Sequence, residues 1–209
     1  STPPHSLSEV IDALLALLDD ADISNEALMR ILPGPDFPTG GIIVNRDDLP
    51  AIYETGQGRI RIRGKVETEK GRNGHINLVI TEIPYTMVGA GIGKFLSDVA
   101  ALAENKITND IIDITNQSSK EGIRIVIELR RDTDIENFKN LLYKKTRLED
   151  TFGVNMLGIL DGRPETMGLR RILEASADFQ YEITGRKYSN LLEKEQKKRT
   201  DAKISFISK

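Results

Sequence analysis

GRIRIRGKVE, residues 58–67, alternates charge with hydrocarbon. Arg59, Arg61, Arg63 and Lys65 hold every second position, Ile60, Ile62 and Gly64 lie between them, and Val66 follows. Only an extended chain sends successive side chains to opposite faces, so this spacing demands a strand with one cationic and one aliphatic face. Charges on one face of a strand sit roughly 6.6 Å apart, and four of one sign repel unless water or a polyanion meets them. The whole 209-residue chain carries a formal net charge of -3, so this positive charge is local rather than global.

Other features narrow the choices. Hydrophobic residues make up 39%, aromatics only 5%, and tryptophan is absent, so Ile, Leu and Val must build the core. The absence of cysteine excludes disulfides, zinc–thiolate sites and cysteine nucleophiles. His5 and His75 are the only imidazoles, and no local spacing joins them as a metal pair. No stretch approaches the 18 or so uninterrupted apolar residues of a membrane span. The opening STPPHSLSEV has no signal-peptide character, and a cytoplasmic protein is expected. It also lacks an initiating Met, as a processed product or a piece of a longer protein would.

The coarse order is two helices, an α/β body, and a long terminal helix. Residues 6–20 carry a helical stripe (Val10, Ile11, Leu14, Leu15, Leu18), with Ser8 as N-cap and Ser6 competing. Residues 23–32 read as a second helix capped by Ser24. PGPDFPTGG (33–41) has three prolines and three glycines in nine residues and must be a rigid, shaped turn. A short strand at 41–44 and a helix over 47–56 closed by Gly56 follow. The cationic strand is expected to run over 59–69, turn at 70–74 and pair with 75–83. Helices are expected over 93–106 and 134–146, and strands over 110–115, 122–131 and 152–160, with DGRP as a turn. In the strand at 122–131, Arg124, Glu128 and Arg130 should face away from Ile123, Ile125, Ile127 and Leu129. From about Gly168 the pattern is helical to the end; forty such residues would span about 60 Å and should project as an arm. The fold class is α+β: a mixed α/β domain with antiparallel strand pairs, then a long projecting helix.

Three groups of residues invite chemistry. GAGIGKF (89–95) falls short of a phosphate-binding Walker A loop, because three residues rather than four separate Gly89 from Gly93 and Phe95 follows Lys94. A glycine-rich helix start is the simpler reading. Asp19–Asp20 and Asp47–Asp48 sit at helix ends, and the second pair favours the positive helix N-terminus. His5, beside Pro3-Pro4, is read as structural. The cationic strand leaves two readings: a solvated sheet face paired with Glu67, Glu69 and Glu82, or contact with backbone phosphates, which evenly spaced cations meet without reading sequence. No aromatic residue interleaves with the charges, so a rigid duplex suits the face better than a single strand.

ALMRILPGPDFPTGGIIV, RIRIRGKVE, ITEIPY, EGIRIVIELRRD and FGVNMLGILDGRPETMGLRRIL occur in one order along nearly the whole chain. In these blocks the chain resembles the A subunit of bacterial type IIA DNA topoisomerases, gyrase and topoisomerase IV. The variant with Gly40-Gly41 is more like topoisomerase IV. The resemblance implies three segments: 1–32, a helical lead-in after the winged-helix region; 33–167, the tower; and 168–209, the start of the coiled-coil arm toward the exit gate. It implies that the parent is an ATP-hydrolysing DNA topoisomerase whose nucleophilic tyrosine lies upstream. Tyr53, Tyr85, Tyr143, Tyr181 and Tyr188 do not share that tyrosine's sequence context, and the chain alone should be inactive. No cofactor is expected in this chain, since magnesium and ATP are used through the B subunit.

The partners so implied are double-stranded DNA and, in a heterotetramer, a second copy of the A subunit together with the B subunit, with nucleoid association and no membrane. The tower would support the arms of a bent gate duplex through Arg59, Arg61, Arg63 and Lys65. Lys120 and Arg124 align with basic positions of the family's DxSDRxGxRIVIE stretch. Two departures stand out: TNQSS (115–119) stands where many relatives read RDESD, which loses charge, and Val88-Gly89 where many carry Asn-Lys. The competing expectation is a structural module that transmits gate motion without touching DNA.

Overall fold

The structure, a computed structural model, describes residues 1–184. Its elements in chain order are α1 (Leu7–Asp19), α2 (Asn25–Ile31), β1 (Ile42–Ile43), α3 (Leu49–Thr55), β2 (Gln57–Arg63), β3 (Lys65–Lys70), β4 (Ile76–Glu82), α4 (Ala90–Glu104), β5 (Ile111–Asn116), β6 (Ile125–Leu129), α5 (Ile135–Lys145), β7 (Glu149–Asn155), β8 (Leu157–Leu160), β9 (Arg163–Thr166) and α6 (Leu169–Thr184). The β1–β2, β3–β4, β4–β6, β5–β6 and β8–β9 pairings are all antiparallel, and the fold class is α+β as expected. The chain forms two compact units, one from residues 1–36, 47–58 and 153 onward, the other from 37–46 and 59–152. Among the described residues no helix is long and apolar enough to cross a membrane. Residues 185–209, most of the expected arm, lie outside the described residues.

The first unit is mainly helical. Ser6, not Ser8, takes the N-cap position of α1; Ser8 falls inside the first turn because the helix already begins at Leu7. The Ser24 hydroxyl caps α2 by accepting from the Ala27 amide at 3.1 Å. Helix α3 ends at Gly56, whose φ of 78° lies in the left-handed region that glycine adopts without strain. The predicted strand 152–160 is broken at Met156, which leaves the ladder to donate its N–H to the Gly56 carbonyl at 2.8 Å. The expected turn at DGRP is narrower: Asp161 and Gly162, both with positive φ, form a two-residue loop joining β8 to β9. The Arg170 guanidinium donates to Asn25 Oδ1 and to the carbonyls of Ala21 and Ile23, which ties the start of α6 to the α1–α2 turn.

His5 plays the structural part expected of it, with Nε2 2.6 Å from the hydroxyl of buried Tyr53. Burial holds its pKa below the ordinary 6.5. The folded chain therefore resists a proton that the unfolded chain accepts, and stability is lost as pH falls through and below the ordinary imidazole value. Urea midpoints should drop between pH 7.5 and 5.5, and the drop should be smaller in His5→Gln. Equal drops in both chains would remove His5 as a cause.

The larger sheet of the second unit is four-stranded, β3-β4-β6-β5, with α4 and α5 on one face. Leu78 and Ile80 of β4 and Ile125, Ile127 and Leu129 of β6 meet Phe95, Val99 and Leu102 of α4 and Phe138 and Leu142 of α5. Asp134 caps α5 by accepting from the Asn137 amide. Strand β6 is shorter than predicted, and all five of its residues are buried, Glu128 included. Glu128 does face away from the helices, but Arg72 and His75 lie over it and bond its carboxylate. PGPDFPTGG is shaped by Phe37, whose ring packs on Tyr85 and Phe152 at 5.7 and 5.6 Å, and by the Thr39 hydroxyl bonded to the Ile83 carbonyl.

The cationic segment departs most from expectation. It is two strands in two sheets, not one hairpin strand over 59–69. Strand β2 pairs with β1 in the sheet β1-β2-β7, whereas β3 pairs with β4. The break is Gly64, whose N–H leaves the ladder for the Leu148 carbonyl at 2.8 Å.

Candidate nucleic-acid interface

Within β2 the alternation behaves as a strand requires. Ile60 and Ile62 are completely buried, Arg59 and Arg61 are exposed, and Arg63 is half-buried. The backbone under the arginines is fixed on the β1 side. Val44 donates to the Arg61 carbonyl at 2.9 Å. Asn45 then continues the ladder with its side chain, donating to the Arg59 carbonyl and accepting from the Arg61 amide, both at 2.8 Å.

Glu149, the first residue of β7, meets the arginines from the other side. Arg63 donates to its Oε2 from Nη2 at 2.7 Å and from Nε at 3.0 Å. Arg61 Nη1 lies 3.7 Å from Oε1 of the same carboxylate. The Arg63 guanidinium also sits 4.2 Å from the centre of the Tyr143 ring, a cation–π contact. Arg63 is thus held by two partners, Arg61 loosely by one, and Arg59 makes no ion pair among the described residues.

The other predicted residues stand in the second sheet or its turns. Lys65, across the Gly64 break, lies 3.7 Å from Glu67. Arg124 forms two bonds to Glu69, at 2.9 and 3.2 Å, and one to Gln117. The Arg124 guanidinium holds the Glu69 carboxyl below the usual carboxylate range. Lys120 is exposed in the turn bridged by Ser119 and Gly122, and makes no ion pair among the described residues. The structure therefore brings Arg59, Arg61 and Arg63 together, places Lys65 and Arg124 beside glutamates of β3, and leaves Lys120 on a turn. Of the three glutamates expected to face the cations, Glu67 and Glu69 do so, while Glu82 lies against Gly40. Sequence reasoning missed Glu149 and Tyr143, which no local spacing connects to an arginine 86 or 80 residues earlier.

The remaining candidates take structural roles. Gly89 is the N-cap of α4, and residues 90–94 are already helical; Lys94 is paired with Asp98 at 3.0 Å. Asp47 and Asp48 form the turn that leads into α3. Tyr53, Tyr85 and Tyr143 are engaged with His5, Phe37 and Arg63 respectively. The side chain of Tyr181 and all of Tyr188 lie outside the described residues. Among the described residues no group of three His, Asp or Glu is placed to hold a metal ion.

The family model for the A subunit of DNA gyrase/topoisomerase IV matches residues 1–208. The DNA gyrase A subunit of Clostridium acetobutylicum is 42% identical over 192 residues, which cover 92% of this chain and 23% of the relative. That of Kosmotoga olearia is 43% identical over 197 residues, 94% of this chain and 24% of the relative. The DNA topoisomerase 4 A subunit of Staphylococcus epidermidis is 38% identical over 196 residues, again 94% and 24%. The chain spans about a quarter of the length of these relatives. Identities to the gyrase and topoisomerase 4 relatives are of one order and do not separate them. With a match over 208 of its 209 residues, the chain belongs to the family of DNA gyrase/topoisomerase IV A subunits.

Proposed function

We propose that this chain is the DNA-supporting tower of the breakage–reunion subunit of an ATP-dependent type IIA topoisomerase. The face of Arg59, Arg61 and Arg63 on β2 carries the reading, because its cations stand on fully buried isoleucines and a pinned backbone. A bent duplex costs on the order of 1–10 kcal/mol, and extra phosphate contacts along its arms offset that cost. A rigid, evenly spaced row of cations can supply such contacts without reading bases. In the intact enzyme, strand cleavage by an upstream tyrosine, magnesium and ATP use through the B subunit, and pairing with a second A subunit complete the reaction. Residues 33–167 form the tower, 1–32 lead into it, and those from 168 begin the arm toward the exit gate. The chain alone is inactive.

One observation favours the second reading, a brace without DNA contact: Arg63, Lys65 and Arg124 already have carboxylate partners. Surface pairs such as Lys65–Glu67 and Arg124–Glu69 contribute only about 0–1 kcal/mol and can exchange for phosphate, and Arg59 and Arg61 keep exposed side chains, so pairing alone does not remove the first reading. The affinity of the 209-residue chain for a 30-bp duplex at 50 and 200 mM salt decides between them. Each phosphate contact adds about 0.9 to the salt slope, or about a 3.5-fold loss across this interval. Arg59→Gln/Arg61→Gln should lower the slope by about 1.8. A double variant with unaltered affinity and slope would leave the brace.

A further inference from the structure

Three arginines share one face of β2, yet they differ in what already holds them. Glu149 takes Arg63 in two short bonds, and the Tyr143 ring backs the same guanidinium. The carboxylate is itself mostly sheltered, its side chain 19% exposed, so water does little to loosen it. Arg61 reaches only the second oxygen, at 3.7 Å, and its side chain is 53% exposed. Arg59 makes no ion pair among the described residues and projects from a backbone fixed by Asn45.

We propose that Glu149 is a built-in counter-charge that sets how many cations of β2 are open to a phosphate backbone. It sequesters Arg63 against Tyr143, leaves Arg61 half-claimed and leaves Arg59 without an ion pair among the described residues. This inference rests on the DNA-supporting reading above and deepens it. The geometry gives the reason for the grading. A phosphate approaching Arg63 must displace a two-bond carboxylate contact and a stacked ring, whereas at Arg61 it displaces one long contact and at Arg59 only water. Both Arg63 donors, Nε and Nη2, close on the single oxygen Oε2, so Glu149 occupies the edge of the guanidinium that a phosphate oxygen would take. Arg63 is then a positioning residue that joins β2 to β7 and α5, and the working contacts fall to Arg59 and Arg61.

The test uses the 209-residue chain and the same 30-bp duplex. Glu149→Gln should bind about tenfold more tightly at 50 mM salt, and its salt slope should steepen by about 0.9, the value of one added phosphate contact. Glu149→Asp, which keeps the charge, should show no steepening. Glu104→Gln makes the same change of net charge on the exposed end of α4 and should leave the slope unchanged. Observation of the arginine Nε–H signals by NMR covers the case in which Glu149→Gln does not fold. In the unsubstituted chain, duplex should shift the Arg59 and Arg61 signals and leave the Arg63 signal in place. A Glu149→Gln slope equal to that of Glu104→Gln, or an Arg63 signal that moves with the Arg59 signal, overturns the inference alone. Duplex affinity that is absent, or indifferent to salt, overturns the proposed function and this inference together.

Discussion

Gly64→Val is expected to destabilise the sheet-bearing unit by about 3 kcal/mol, the upper end of the usual cost of overpacking, because the site cannot relax. A Cβ at this position would lie 2.5 Å from Leu148 Cδ1 and 2.8 Å from the Glu82 carbonyl oxygen. Leu148 is completely buried, and Glu82 is the register partner of Lys65 at the end of β4. Neither can withdraw without moving backbone, and the two further methyls of valine deepen both overlaps. The Gly64 amide bond to Leu148 would lengthen as well. The urea midpoint should fall by about 1–2 M with the slope of the transition retained. Because Gly64 divides the cationic segment between two sheets, the variant should also lose salt-dependent duplex affinity at temperatures where it remains folded. A midpoint within 0.3 M of the parent, on the order of experimental error, would show that the crossing at Gly64 is not tight.

That glycine also marks where reading the sequence stops working. Period-two alternation tells which residues of β2 are buried, because burial within a strand depends only on the pleat. It continues without interruption through Lys65 and Val66, and nothing in the pattern signals a change of sheet. The change depends on Leu148, which offers a carbonyl 84 positions away. A helix cap is legible where the chemistry is local, as at Ser24, bonded to an amide three residues on; Asp134, read as the first residue of its helix, caps it by the same local bond. The β8–β9 hairpin is half legible: Asp161-Gly162 reads as a turn, but the break at Met156 is made by the distant Gly56 carbonyl. Glu128 shows a further limit. Alternation places it on the correct face, but its burial comes from a turn that folds Arg72 and His75 over it.

The candidate site divides in the same way. The presence and spacing of its cations can be read, since both follow from one strand. Their state of neutralisation is legible only in part: Glu67, two residues from Lys65 on the same strand, could be read, whereas Glu149 reaches Arg61 and Arg63 from a strand 86 residues beyond the latter. Among the described residues, six side chains that look alike as charges are four kinds of group: without an ion pair on a strand, without one on a turn, loosely paired and firmly paired. Family membership predicts none of these distinctions, because it assigns roles to positions and says nothing about which neighbour holds a guanidinium.

Phe95→Ala should have the largest effect of any single truncation, about 4 kcal/mol. Phe95 is 1% exposed and is among the largest fully buried side chains. It belongs to the cluster in which α4 covers β4 and β6, with Ile80, Ile127, Val99 and Leu142 among its members. In a chain with no tryptophan and few aromatics, a ring in this position fills volume that the surrounding aliphatic side chains cannot recover by changing rotamer. The truncation loses the transfer free energy of the ring and leaves a cavity, and domains of this size are stable by only about 5–15 kcal/mol. The urea midpoint should therefore fall by roughly 1.5–2 M, and Phe95→Leu should recover more than half of the loss. The cationic strand β2 lies in the other sheet of the same unit, and its Ile60 and Ile62 are not members of this cluster. Below the new transition, duplex affinity and its salt slope should consequently match those of the parent chain. A Phe95→Ala chain that is folded but has lost its salt slope would show that the α4 core sets the spacing of the arginines, and that the bonds of the Asn45 side chain and the Val44 amide do not suffice to hold them.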